Sequence, residues 1–291
     1  MWGVYFAEFK NAEKIVTMKI RISLVHYLNS APLGWAFLHG PLRERFEVVP
    51  SSPAKCADQL SKGEVDIGLI PSIEYQRIPN LQIIPDISIA SLGKVRSILL
   101  IKAKGKTVIN SVALDTSSRT SVALTKVLLQ GKMGIQPDYV PCQPDLAVML
   151  GRCDAALLIG DAALKVLLEE YDVTDLADEW VQWQQKPFVC AFWACRTDAP
   201  LPADLNPMFL EAKDWGLKRR HEIALVYARA LNLSTSFLED YLHHNIDYDM
   251  GSGHIEGLER FYQLAKQQEL IPELRPLQFS GHHPLNCMEE C

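Results

Sequence analysis

The chain has 291 residues, 48% of them hydrophobic and 22% charged, with a formal net charge of −6. That is apolar material for about two domains of ordinary size, and it excludes a disordered chain. The acidic balance and the lack of a long Lys/Arg stretch argue against nucleic acid as a partner, and no apolar run approaches the ~20 residues of a membrane helix, so no membrane partner is expected.

Residues 1–17 contain Glu8, Lys10, Glu13 and Lys14, which interrupt any apolar centre of a secretory leader. They read as an N-terminal extension, and a cytoplasmic location is expected. From Lys19 the run Lys-Ile-Arg-Ile-Ser-Leu-Val25 alternates polar and apolar residues and predicts a strand. His26 to Pro32 reads as a loop, followed by a helix over about 33–39 and a short strand over 46–50. Ser52-Pro53 marks a helix start, because Ser caps free N–H groups and Pro fits the first turn. Cys56 and Leu60 share a face of that helix, and Gly63 ends it. A buried strand follows over 65–70.

This helix–Gly–strand unit recurs. Pro53…Gly63-Glu-Val-Asp66-Ile-Gly-Leu-Ile70 matches Pro144…Gly151-Arg-Cys-Asp154-Ala-Ala-Leu-Leu-Ile159. Two copies point to two lobes of similar architecture; chance recurrence in an α/β chain is the alternative. Between the copies, 96–102 and 107–114 predict strands, 116–121 a polar turn, and Val122, Ala123, Leu124, Val127 and Leu128 a helical face. The apolar run 188–195 is a late strand. Helices are predicted over 204–230, 235–244 and 253–268, and the tail after Pro272 has weak structure.

Alternating strands and helices imply mainly parallel sheets flanked by helices. The strands at 97–102 and 188–195 read as crossings between lobes. The expected division is residues 18–102 plus 189–291 for lobe 1 and 103–188 for an inserted lobe 2. By fold-level analogy this is the type II periplasmic-binding-protein-like plan, an α/β fold with a ligand cleft between the lobes.

The clearest chemical signal is Asp115-Thr116-Ser117-Ser118-Arg119-Thr120-Ser121. A strand feeds hydroxyl residues that open a helix, whose start offers free N–H groups and about half a positive charge. The hydroxyls add donors and Arg119 adds a forked cation, a set suited to carboxylate or phosphate. The alternative is plain capping with Arg119 in solvent. In the loop after the first strand, Asn29 can donate and accept hydrogen bonds, with Ser30 beside it, where α/β sheets bind ligands. The plain reading of that pair is a turn. Ser72, at the end of the strand in the first copy, can reach the cleft. Ser97 lies on the first crossing strand. Gly160 permits close backbone approach.

Seven cysteines stand at 56, 142, 153, 190, 195, 287 and 291, without Cys-x-x-Cys spacing. They read mostly as small core residues of a reducing compartment. His282-His283 with Cys287 and Cys291 is a weak metal-binding candidate in the tail, and no metal is expected. Walker, Gly-x-Gly-x-x-Gly, Gly-x-Ser-x-Gly and His-Glu-x-x-His patterns are absent.

Together, Tyr27-Leu-Asn-Ser-Ala-Pro32, Asp66-Ile-Gly-Leu-Ile-Pro-Ser-Ile-Glu-Tyr75, Val95-Arg-Ser-Ile-Leu-Leu100, Ala113-Leu-Asp-Thr-Ser-Ser-Arg-Thr-Ser121 and Leu158-Ile-Gly-Asp161 resemble the menaquinone biosynthetic chorismate dehydratases of the futalosine pathway. The resemblance spans about residues 18–270. The related naphthoate synthases begin with a loop like Ser-Pro-Cys-Pro-Asn-Asp, absent here. The resemblance implies a cofactor-free hydro-lyase acting on dianionic chorismate, with Asn29 and Ser97 catalytic. It implies that the helix start Thr116, Ser117, Ser118, Arg119, Thr120 and Ser121 holds a carboxylate; Ser30, Ser72 and Gly160, read from their places after strands, complete the expected substrate-binding set. The proton acceptor stays open between a protein group and the substrate's own carboxylate, and so does the oligomeric state. A solute binder or sensor of the same fold, or another enzyme on it, is the competing class.

Overall fold

The structure, a computed structural model, describes residues 19–281. In chain order β1 (Ile20–Val25) leads through a 3-10 turn (Leu28–Ser30) into α1 (Ala31–His39), then β2 (Phe46–Ser51), α2 (Pro53–Ser61), β3 (Ile67–Pro71), a second 3-10 turn (Ser72–Gln76) and β4 (Leu81–Ser91). Next come β5 (Ile98–Ala103), β6 (Ser111–Asp115), α3 (Arg119–Gly131), β7 (Asp138–Cys142), α4 (Leu146–Arg152), β8 (Ala155–Ile159), α5 (Gly160–Leu164), β9 (Tyr171–Asp175) and α6 (Leu176–Gln184). The chain closes with β10 (Phe188–Arg196), α7 (Leu205–Leu217), α8 (Arg220–Leu231), α9 (Thr235–His244) and α10 (Ser252–Gln267). Among the described residues no helix is long and apolar enough to cross a membrane.

Two sheets form two lobes, with strand orders β2-β1-β3-β10-β4 and β7-β6-β8-β5-β9. The orders correspond position by position, as the repeated helix–Gly–strand unit leads one to expect. In each sheet the central strand is apolar and buried throughout, Ile-Gly-Leu-Ile-Pro in β3 and Ala-Ala-Leu-Leu-Ile in β8. Burial on both faces selects such runs.

Each sheet is mixed rather than mainly parallel. β1 pairs parallel with β2 and β3, while β10 pairs antiparallel with β3 and β4. β6 pairs parallel with β7 and β8, while β5 pairs antiparallel with β8 and β9. The antiparallel strand is in each case a crossing strand. It enters from the other lobe and so runs opposite to its neighbours. By hydrogen bonding β5 belongs with the second sheet, one strand earlier than the expected 103–188 insertion, and β10 belongs with the first.

The first lobe is centred on Phe37, Phe46, Trp193 and Phe209, whose rings meet at centroid distances of 4.9 to 5.9 Å. A smaller cluster, including Leu99, Ile101, Met149 and Leu158, packs within the second lobe. The helix expected over 204–230 is two helices, α7 and α8, broken at Lys218 and Arg219. α7 packs so closely on α1 that a Cβ on Gly216 would lie 1.8 Å from the Pro32 carbonyl oxygen. The segment after Pro272 is pinned rather than loose: Arg275 Nη1 donates to Tyr75 O at 2.9 Å, and Ile83 N donates to Gln278 O at 2.8 Å. The extension 1–17 and the His282-His283, Cys287 and Cys291 group lie outside the described residues.

Candidate functional site

A cavity of about 40 Å³ lies between the lobes. Its wall includes Tyr27 and Asn29 from the loop after β1, Ser97 before β5, Ser118 and Ser121 at the start of α3, Gly160 after β8, and Cys190 on β10. Most of these positions follow the carboxyl end of a parallel strand, where the sheet's free edge and the following helix start meet. A larger groove of about 490 Å³, lined by Leu92, Lys94, Arg220 and His243 among others, lies outside the cleft. It draws on the first lobe and its hinge alone, whereas the small cavity is built by both lobes.

The loop after β1 is held from every side. Ser30 Oγ lies 2.6 Å from Val25 O and 2.7 Å from Tyr27 O, its one proton shared between the two carbonyls, so this fully buried serine shapes the turn. Leu28 N donates to Asp161 Oδ1 of the second lobe at 3.0 Å, and the Tyr27 hydroxyl donates to Ser117 Oγ at 3.2 Å. Tyr248 OH donates to Asn29 O at 2.9 Å. These bonds fix the Asn29 backbone, and its side-chain Oδ1 is buried with no hydrogen-bond partner among the described residues. A buried acceptor without a partner is costly and marks a place where a ligand donor fits.

Ser97 is set by an unusual turn. Arg96 has φ 63°, the left-handed region, and its N–H donates to Asp175 Oδ2 at 2.7 Å. Gly160 N donates to Ser97 O at 2.9 Å, tying β8 to the crossing strand. Gly160 itself has φ +59°, and a Cβ there would stand 2.8 Å from the Tyr27 ring. Both features exclude a side chain.

At the start of α3, Asp115 is a buried turn-former. Its Oδ1 accepts from Ser117 N at 3.0 Å and Ser117 Oγ at 2.6 Å. Burial pushes its carboxyl above the ordinary range, against those hydrogen bonds. Ser118 caps the helix, with its Oγ 3.0 Å from Ser121 Oγ. These two hydroxyls face the cavity together with the positive end of the helix.

The remaining expected binding residues lie elsewhere. Arg119 Nη1 donates to Glu74 Oε2 at 2.7 Å and Nη2 to Asp58 Oδ1 at 2.8 Å, so the expected anion ligand is held by two carboxylates of the first lobe. Thr120 Oγ1 accepts from Ile73 N at 3.1 Å, and Ser72 Oγ donates to Val189 O at 2.8 Å; both side chains are buried in the lobe contact. Ser117 stands behind Tyr27, and Thr116 is exposed.

Sequence reasoning passed over Tyr27, Cys190, Tyr241 and Tyr248. Cys190 had a signal, since it occupies the second crossing strand as Ser97 adjoins the first. The Tyr241 hydroxyl donates to Ser97 Oγ at 2.8 Å, a contact across 144 residues that no local pattern carries. Among the described residues the cavity wall contains no carboxylate, histidine, lysine or arginine. Burial pushes the Cys190 thiol up to about 12 and raises the Tyr27 phenol, so both stay neutral. The wall therefore offers hydroxyl and amide groups on a largely apolar floor.

The fold is shared with solved structures. A protein from Archaeoglobus fulgidus matches with a TM-score of 0.70 at 18% identity, covering 88% of this chain and 100% of that one. The periplasmic aliphatic sulphonate binding protein of Escherichia coli matches with a TM-score of 0.60 at 17% identity, covering 91% and 94%. The architecture is thus the two-lobed periplasmic-binding-protein-like α/β fold. A curated relative, the chorismate dehydratase of Thermus thermophilus, is 35% identical over 259 residues, covering 82% of this chain and 93% of the relative. The family model for menaquinone biosynthesis matches residues 20–267, which takes in both sheets and every residue of the cavity wall. The chain belongs to the menaquinone biosynthesis family.

Proposed function

We propose that the chain is a chorismate dehydratase of the futalosine route to menaquinone, a cytoplasmic hydro-lyase that works without a cofactor. It converts chorismate to 3-[(1-carboxyvinyl)oxy]benzoate and water. The observation that carries the reading is the buried, unpartnered Asn29 Oδ1, in a wall of neutral donors shared by both lobes. The 35% identity to a protein of that name supports it across the chain.

The chemistry suits such a wall. The C3 proton of chorismate is acidified by conjugation with the ring carboxylate. Its C–H electron pair becomes the new C3–C4 double bond as the C4–O bond breaks. The departing hydroxide takes up a proton and leaves as water, and the ring becomes aromatic. Positioning and charge stabilisation matter more than a strong base. Among the described residues no carboxylate or histidine faces the cavity, and the substrate's own enolpyruvyl carboxylate takes the C3 proton. Asn29 Oδ1 accepts a hydrogen bond from the substrate, and Ser97 Oγ donates to the leaving oxygen. Ser118, Ser121 and the amino end of α3 hold a carboxylate. Among the expected clamp residues, Ser117 supports Tyr27, while Ser30, Ser72, Arg119 and Thr120 act by holding the lobes and loops in place. A ring with two carboxylates is far larger than a cavity of about 40 Å³, so the lobes part to admit it.

The purified protein mixed with chorismate, with no cofactor added, is expected to abolish the diene absorbance and yield a product lighter by one water in mass spectrometry. Tight binding without turnover would favour a sensor instead. An analogue lacking the enolpyruvyl carboxylate is expected to bind without reacting, and full turnover of it would rule out the substrate as base.

A further inference from the structure

Ser97 is 1% exposed and stands between two environments. On one side is the cavity. On the other, the Tyr241 hydroxyl of α9 donates to its Oγ at 2.8 Å. A serine hydroxyl has one proton to give and two lone pairs to receive with. With Tyr241 filling an acceptor direction, the Ser97 proton is free to point into the cavity. Burial holds the Tyr241 phenol well above its ordinary value, against the Ser97 bond, so it stays protonated and remains a donor.

α9 is attached to the same turn on both flanks. The Arg96 guanidinium lies 5.6 Å from the centroid of the Phe237 ring. Asn245 Nδ2 donates to Lys94 O at 2.8 Å. The helix that carries Tyr241 is thereby registered against Ser97 rather than merely packed near it. Tyr241 is not part of the cavity wall, so any influence on the substrate passes through Ser97.

We infer that Tyr241 is a positioning residue for the elimination, its hydroxyl fixing Ser97 Oγ as a donor toward the oxygen that leaves C4. This rests on the dehydratase reading. The contribution falls on rate rather than binding, because a hydrogen bond to that oxygen strengthens as the C–O bond lengthens and negative charge gathers there. Breakage of C4–O releases hydroxide. The proton it takes up balances the one removed from C3, so Ser97 ends the cycle with its own proton.

The test is a double-mutant cycle in steady-state turnover of chorismate, with thermal unfolding followed for every variant. Tyr241→Phe removes one oxygen and keeps the ring. It is expected to lower kcat about tenfold and leave KM within about twofold. In the Ser97→Ala background the same change is expected to have no further effect. Unchanged kcat in Tyr241→Phe, or an equal loss with and without Ser97, overturns the inference. If Ser97→Ala keeps full turnover, the reading of Ser97 fails and the inference with it. If Ser97→Ala is crippled while Tyr241→Phe is fully active, only the inference fails. Should Tyr241→Phe melt at the assay temperature, a fluorinated tyrosine placed at 241 retains the hydroxyl while making it a stronger donor. A changed kcat then supports the inference, and an unchanged kcat overturns it.

Discussion

Asp161 shows how single residues of the second lobe shape the site without touching the cavity. Its carboxylate accepts from Leu28 N and so holds the loop that carries Asn29. Burial raises its pKa above the ordinary 3.8, against the Leu28 bond and the nearby His26 and Lys165. A carboxyl raised in the folded state binds more protons there than in the unfolded chain, so its ionisation removes stability as pH climbs from the unfolded pKa through the folded one. Asp161→Asn keeps an acceptor for Leu28 and abolishes that titration. Urea unfolding of both proteins should show the stability of Asp161→Asn relative to wild type rising over that window and flat above it. A difference that is constant or falls with pH would contradict this. At this scale the sequence was readable where a residue's placement follows from a local pattern. Ser118, Ser121 and Gly160 sit at strand-to-helix turns, and Asn29 and Ser97 follow or precede strands. It was unreadable where partners are distant in the chain. The two carboxylates on Arg119 come from 45 and 61 residues away, so the run 115–121 shows a cation but not what neutralises it.

Among the elements, α3 links the lobes most directly. Its first residue pairs with Glu74, whose side chain is 5% exposed, and with Asp58 on α2. Its second receives Ile73 N, and Ala54 N donates to Ser117 O just ahead of it. All these contacts join the second lobe to the first. Arg119→Ala leaves Glu74 with Arg77 alone and is expected to lower stability by about 1–3 kcal/mol. It should also enlarge the radius of gyration of the ligand-free protein in small-angle scattering. An unchanged melting point and radius would show that the pair does not hold the lobes. The repeated units 53–70 and 144–159 were legible as helix–strand pairs because Gly and Asp punctuate them. The partnership of β5 with the second sheet was not, because an apolar strand carries no mark of the sheet it joins. β4 was hidden for a different reason: Pro85 and Asp86 interrupt its alternation, and Asp86 has φ 63°. The α7–α8 break has no proline or glycine at its centre, so periodicity ran through it.

In the whole molecule, the two crossing strands bring Ser97 and Cys190 to one cavity from opposite ends of the inserted lobe. Composition and periodicity reach as far as a two-lobed α/β protein that takes a small anion; the motif resemblance narrows the anion to chorismate, and the proposed reaction centre is the pair Asn29 and Ser97 on the cavity wall. The most direct test of that account is the initial rate of chorismate dehydration by wild type, Asn29→Ala and Ser97→Ala, with melting curves recorded alongside. The account predicts turnover by the wild type, and a loss of about a hundredfold or more in kcat/KM for each variant while its fold is intact. Full activity in either folded variant, or a wild type that binds chorismate and returns it unchanged, would contradict it.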